Sequence, residues 1–142
     1  MDALNLPQIG PLVLGSLLTQ HWSPDLPNEA NQRFVRDFIK KTGRTPSFYA
    51  SQAYDSAMLI RSAVEATEGN LNNIAAMRAA LKSANFDSVR GKFEFNNNHF
   101  PIQSFFLREV TLTNNGTYET KVIDTVYTDH KDPYANMCPL RH

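Results

Sequence analysis

From Phe48 to Thr67 the chain runs without a glycine or a proline, and its apolar positions are mostly small. Ala50, Ala53, Tyr54, Ala57, Met58, Ile60 and Val64 spread around much of a helical wheel. That pattern predicts a long helix, largely buried, whose small residues let neighbouring backbone come close. Its start is well marked. Gly43 and Pro46 stop whatever precedes it, and Ser47 is a good N-cap. Phe48 and Tyr49 then occupy the first turn, where unbonded N–H groups and the positive end of the helix dipole gather. Two flat rings beside a cationic helix end suit a small ligand with an apolar body and a carboxylate. The same spacing serves core padding equally well.

Around this helix the chain divides by period. Leu12 to Leu18 is the longest apolar run and predicts a buried strand of the parallel type, apolar on both faces. A polar, proline-containing loop follows, His21-Trp22-Ser23-Pro24-Asp25-Leu26-Pro27. Asn28 can cap a helix with Ala30, Phe34, Val35, Phe38 and Ile39 on one stripe. Arg33, Arg36, Asp37, Lys40 and Lys41 form its solvated face. Gly69 ends the long helix, and a third helix is expected near Asn72 to Ala84. Past Ala84 the period becomes two: Phe93 and Phe95 alternate with Lys92 and Glu94. Ile102 to Thr113 and Tyr118 to Thr128 flank Asn114-Asn115-Gly116, a strong hairpin signal because Asn and Gly tolerate positive φ. The expected class is therefore α/β, with three helices on a partial sheet and a C-terminal β-hairpin.

Composition excludes several functions. Fourteen Lys and Arg balance fourteen Asp and Glu, with no basic stripe or acidic block. Neither nucleic acid nor an electrostatically held membrane surface is an expected partner. The run from Leu12 to Leu18 is far too short to span a bilayer, and Met1 opens no signal-peptide pattern. The four histidines have no metal-like spacing, and the single Cys138 cannot build a zinc cluster. There is no Gly-x-Ser-x-Gly elbow and no phosphate-binding glycine loop. Asp55 and Glu65 stand too far apart on one helix to share a bond as acid and base. No cofactor, no metal and no enzymatic activity are expected.

The order of motifs has a likeness. Leu14-Gly15-Ser16, His21-Trp22-Ser23-Pro24-Asp25-Leu26, Asn31-x-x-Phe34, Gly43-Arg44-x-Pro46-Ser47-Phe48-Tyr49-Ala50-x-x-Ala53-Tyr54-Asp55 and Phe86-Asp87-Ser88-Val89-Arg90-Gly91-Lys92-Phe93 come in turn. This closely resembles the C-terminal part of type I periplasmic solute-binding proteins of the Leu/Ile/Val-binding type. His99-Phe100-Pro101-Ile102-Gln103 and the closing Tyr134-Ala135 to Cys138 resemble the aromatic-acid branch. The resemblance implies a substrate-binding component of an ABC importer, periplasmic, that clamps a small organic anion between two lobes and delivers it to a membrane permease. The anion would be an aromatic acid or a branched-chain amino acid. Two alternatives stand beside it: a ligand-sensing regulatory domain of the same fold, and a truncated piece acting only in assembly.

Only the last third of the family pattern is represented. Residues 1–20 would hold a strand crossing from the second lobe, 21–95 the first-lobe helices and a strand, and 96–142 the return crossing, hairpin and tail. The resemblance thus implies sequence upstream of Met1, which would carry the carboxylate-gripping residues and a disulfide partner for Cys138. A chain with so little sheet is expected to self-associate. Within it the resemblance assigns Phe48 and Tyr49 to ring stacking. Trp22, with His21 beside it, is either a pocket wall or an interlobe packing ring. His99 and Phe100 lie at the second crossing, as pocket, hinge or plain loop residues.

Overall fold

The computed structural model describes residues 1–139. Its elements run α1 (Leu6–Val13), β1 (Leu17–Gln20), α2 (Glu29–Thr42), α3 (Phe48–Ala66), α4 (Ile74–Ser83), β2 (Glu94–Phe95), β3 (Pro101–Leu112), β4 (Tyr118–His130) and a short 3-10 turn at Ala135–Met137. This is an α/β fold whose sheet is organised on β3. β1 pairs with it across 106–109, β2 at Pro101 and Ile102, and β4 along most of its length.

Among the described residues every strand pairing is antiparallel, which corrects the expectation of a parallel-type strand over Leu12–Leu18. Leu12 and Val13 end α1, Gly15 turns the chain at φ +78°, and only Leu17 onward is strand. The apolar run therefore serves two elements, and Leu12 and Leu17 are exposed. Pro7 in the first turn was the signal for α1, since its missing N–H and fixed φ suit that place. Gly10 on this helix sits against the Tyr118 ring of β4, so closely that a Cβ would overlap it.

The predicted caps form. The Asn28 side chain accepts from the Asn31 N–H at 2.9 Å, and Gly43 closes α2 at φ +71° with its N–H on the Ile39 carbonyl. Ser47 Oγ accepts from the Ala50 N–H at 3.3 Å. The hairpin also forms around Asn114-Asn115-Gly116. The Gly116 N–H reaches the Thr113 carbonyl, and Gly116 takes φ +76°. This is a type I turn followed by a left-handed residue, the usual three-residue hairpin loop.

The expectation that α3 is largely buried does not hold. Ser51, Asp55 and Ala63 are its buried residues, whereas Tyr49, Ala53, Ala57 and Ile60 lie exposed along one stripe. Its apolar positions are spread around the wheel, and α2, α4 and the 86–91 turn cover one side of it. The buried cluster lies instead around Trp22, Leu26, Phe34 and Val89, with Phe48, Tyr54, Phe106 and Val122 packed against it. Asn31, fully buried, organises the loop that carries Trp22. Its Oδ1 accepts the indole N–H at 2.7 Å, and its amide nitrogen faces the carbonyls of Ser23, Pro24 and Leu26 at 3.1–3.2 Å. Asp25 on the same loop accepts from the Val122 N–H of β4, and Arg108 of β3 donates to the Trp22 carbonyl.

Candidate functional site

Three elements deliver side chains to one place: the end of β1, the first turn of α3 and the middle of β3. His21, directly after β1, lies half-buried with its ring edge-on to Phe48 at 6.2 Å and to Phe105 at 6.4 Å. The Phe48 and Tyr49 rings lie against each other, centroids 3.9 Å apart and planes tilted by 34°, and Tyr49 turns outward, 62% exposed. The Ser47 cap takes the N–H of Ala50, so the N–H groups of Phe48 and Tyr49 stay outside the helical ladder. One turn further along α3, Gln52 places its amide nitrogen 3.4 Å from His21 Nε2. With the amide as donor, the imidazole carries its proton on Nδ1.

Beneath this layer sits a buried ion pair. Asp55, 2% exposed, accepts from Ser88 Oγ at 2.6 Å, from the Val89 N–H at 3.0 Å and from Arg90 Nε at 3.0 Å. Arg90 continues to Gln103 Oε1 at 2.9 Å and lies 4.6 Å from the centre of the Phe93 ring. The pair locks α3 to the 86–91 turn and, through Gln103, to β3.

The surroundings keep His21 neutral. Burial of the ring, aided by the Arg90 charge and opposed by Asp55, lowers its pKa from 6.5 to about 4. Between those values the unfolded chain binds a proton that the folded chain does not, so stability rises with pH across that window. Acidifying from pH 6.5 to 4 is therefore expected to cost stability, about 1–2 kcal/mol once solvent screening of this partly exposed ring is allowed for. Urea unfolding of wild type and His21→Gln at both pH values checks this. The variant should lose less, and equal losses would remove His21 as the cause.

The sequence-derived candidates thus separate. His21, Phe48 and Tyr49 come together. Trp22 turns the other way, 1% exposed, edge-on to Phe34 at 6.2 Å and bonded to Asn31. Phe100 is 62% exposed in the turn between β2 and β3, where its carbonyl accepts the Asn96 N–H and the preceding His99 takes φ +64°. Among the described residues it makes no ring contact with the His21 cluster. Gln52, Arg90 and Phe105 were not singled out from the sequence. The sequence pattern weighs Asp55 against Glu65 as an acid–base pair and gives no sign of its pairing with Arg90. Among the described residues no three His, Cys, Asp or Glu side chains converge to hold a metal.

Residues 1–117 match the family model described as periplasmic binding protein. The chain belongs to that family. Leu/Ile/Val-binding protein homolog 6 of Brucella abortus (strain 2308) is 33% identical over 124 residues, covering 85% of this chain and 32% of the homolog. This periplasmic binding protein chain thus spans about a third of the length of the curated relatives it matches. Two solved structures superpose on it closely. An ABC transporter substrate-binding protein from Sphaerobacter thermophilus gives a TM-score of 0.84 at 28% identity, over 92% of this chain and 36% of that one. A solute-binding protein of an ABC transporter from R. palustris, in complex with benzoate, gives 0.83 at 28% identity, over 94% and 35%.

Proposed function

We propose that this chain supplies part of the ligand wall of an ABC importer's substrate-binding component, a receptor that closes two lobes on a small organic anion in the periplasm and passes it to a membrane permease. Residues 21–95 would belong to the first lobe, with 1–20 and 96–142 forming the crossings and tail. The observation that carries this reading is the close, tilted Phe48–Tyr49 ring pair at the start of α3, with neutral His21 against it. The rings offer apolar contact, the helix start offers N–H donors and a positive dipole to a carboxylate, and the Tyr49 hydroxyl is open to solvent. The benzoate in the R. palustris relative supports an aromatic acid, and the Brucella homolog's name supports a branched-chain amino acid.

Closure follows if a ligand touches both lobes, because it then binds the closed state more tightly than the open one. In the full-length receptor that carries this segment, Phe48→Ala is expected to weaken binding by about 1–3 kcal/mol through lost apolar contact. Calorimetry with sodium benzoate and with leucine measures it. A variant that binds either ligand as tightly as the wild type would remove Phe48 from the wall.

A further inference from the structure

The ring pair at α3 is one end of a longer row of rings. Tyr49 lies against Phe48, Phe48 meets His21, and His21 meets Phe105. Phe105 in turn meets His130 edge-on at 5.8 Å, and His130 meets Tyr127 at 5.1 Å. Six rings thus run from the mouth of α3, past the end of β1, through β3 and onto the last residues of β4.

The sheet departs from regularity where this row crosses it. The β3–β4 register shifts between Gln103 and Phe105 and again between Phe105 and Phe106. On β4, Asp129 takes a left-handed φ of +48°, unfavourable for a residue with a Cβ, and its N–H goes to Ser104 Oγ at 3.2 Å. Bulges of this kind re-aim side chains, and here the re-aimed ones are rings. Thr19, Phe105, Val126, Tyr127 and His130 line an open niche of about 170 Å³. Val126 and Tyr127 are 42% and 56% exposed, so the niche is outside the buried cluster of Trp22, Leu26, Phe34 and Val89.

We infer that this niche of Phe105, Tyr127 and His130 is a second wall of the same ligand site, and that it selects a benzoate-type aromatic acid over an aliphatic one. The inference rests on the proposed function and adds the ligand class and the residues that set it. A flat ring gains offset and edge-on contacts from ring neighbours on both sides of His21, whereas a branched alkyl group gains area alone. His130, between Phe105 and Tyr127, adds a ring that can also hydrogen-bond a polar substituent. Continuity is the main argument: the His21–Phe105 contact joins the two walls, and each step from Tyr49 to Tyr127 is a ring-to-ring contact.

The test is calorimetric titration of the full-length receptor with sodium benzoate and with leucine, comparing the wild type with Phe105→Leu and Tyr127→Leu. The wild type should prefer benzoate by about tenfold or more, and each variant should lose about tenfold for benzoate while leucine binding changes by less than about twofold. Tyr127 is exposed enough that its variant folds even if the Phe105 one does not. Unchanged benzoate affinity in Tyr127→Leu, or a wild type that prefers leucine, overturns this inference and leaves the proposed function standing. A wild type that binds neither overturns both.

Discussion

Asp55→Ala is expected to destabilise the fold by about 3–5 kcal/mol, more than most single changes on this chain. The carboxylate is 2% exposed and accepts from one hydroxyl, one backbone N–H and one guanidinium. Deleting it strands the Val89 N–H and the Ser88 hydroxyl without that acceptor. Arg90, whose side chain is 11% exposed, is left as a charge with no counterion at hydrogen-bond distance. An uncompensated buried charge is what makes breaking such a pair costly, even where the intact pair adds little net stability. Asp55→Asn should fall between, since it keeps the shape but turns an NH₂ toward at least one donor. Replacing Arg90 by Met in the Asp55→Ala background should recover part of the loss, the sign of real coupling. Urea unfolding of the four proteins measures this, and a loss below about 1 kcal/mol in Asp55→Ala would mean that water replaces the carboxylate. Because the pair ties α3 to the 86–91 turn, ligand affinity should fall with it.

Features set by local chemistry could be read from the sequence, and features set by distant pairing could not. The Asn28 and Ser47 caps, the Gly43 stop and the Asn114–Gly116 turn each depend on a few adjacent residues, and each forms where expected. The strand expected at Leu12–Leu18 failed because periodicity cannot divide an apolar run between a helix end and a strand start; Pro7 and Gly15 held that information. Burial of α3 failed for a related reason. Apolar residues all around a helix indicate how much cover it can take, not how much its neighbours supply. At the candidate site, the place of Phe48 and Tyr49 in the first turn of α3 was legible because a capped helix start is a local event, whereas the end of β1 beside His21 was not. Asp55 and Arg90 are 35 residues apart in sequence. The approach of Phe105 to His130 depends on two register shifts, which leave no mark in an alternating pattern.

Trp22 was the residue the sequence left most open, a pocket wall or a packing ring, and its surroundings make the outcome of replacing it specific. Trp22→Ala should cost about 3–5 kcal/mol, from lost ring burial and the cavity left against Phe34 and Leu26. Trp22→Phe separates area from hydrogen bonding. It keeps most of the apolar contact but removes the indole N–H, leaving Asn31 Oδ1 buried without its 2.7 Å donor, at about 1–3 kcal/mol. Asn31→Ala should cost at least as much as Trp22→Phe, because the indole N–H and the carbonyls of Pro24 and Leu26 lose the Asn31 side chain at once, while the Ser23 carbonyl keeps only the Leu26 N–H. Combining Trp22→Phe with Asn31→Ala should then cost less than the sum of the two, since the bond they share can be lost only once. Far-UV circular dichroism is the appropriate probe, as Trp22 is the sole tryptophan and its substitution removes the fluorescence signal. A packing ring predicts a large stability loss with ligand affinity retained at temperatures where Trp22→Phe is fully folded. The opposite result, near wild-type stability with affinity lost, would place Trp22 in the ligand wall and reverse the assignment drawn from its burial.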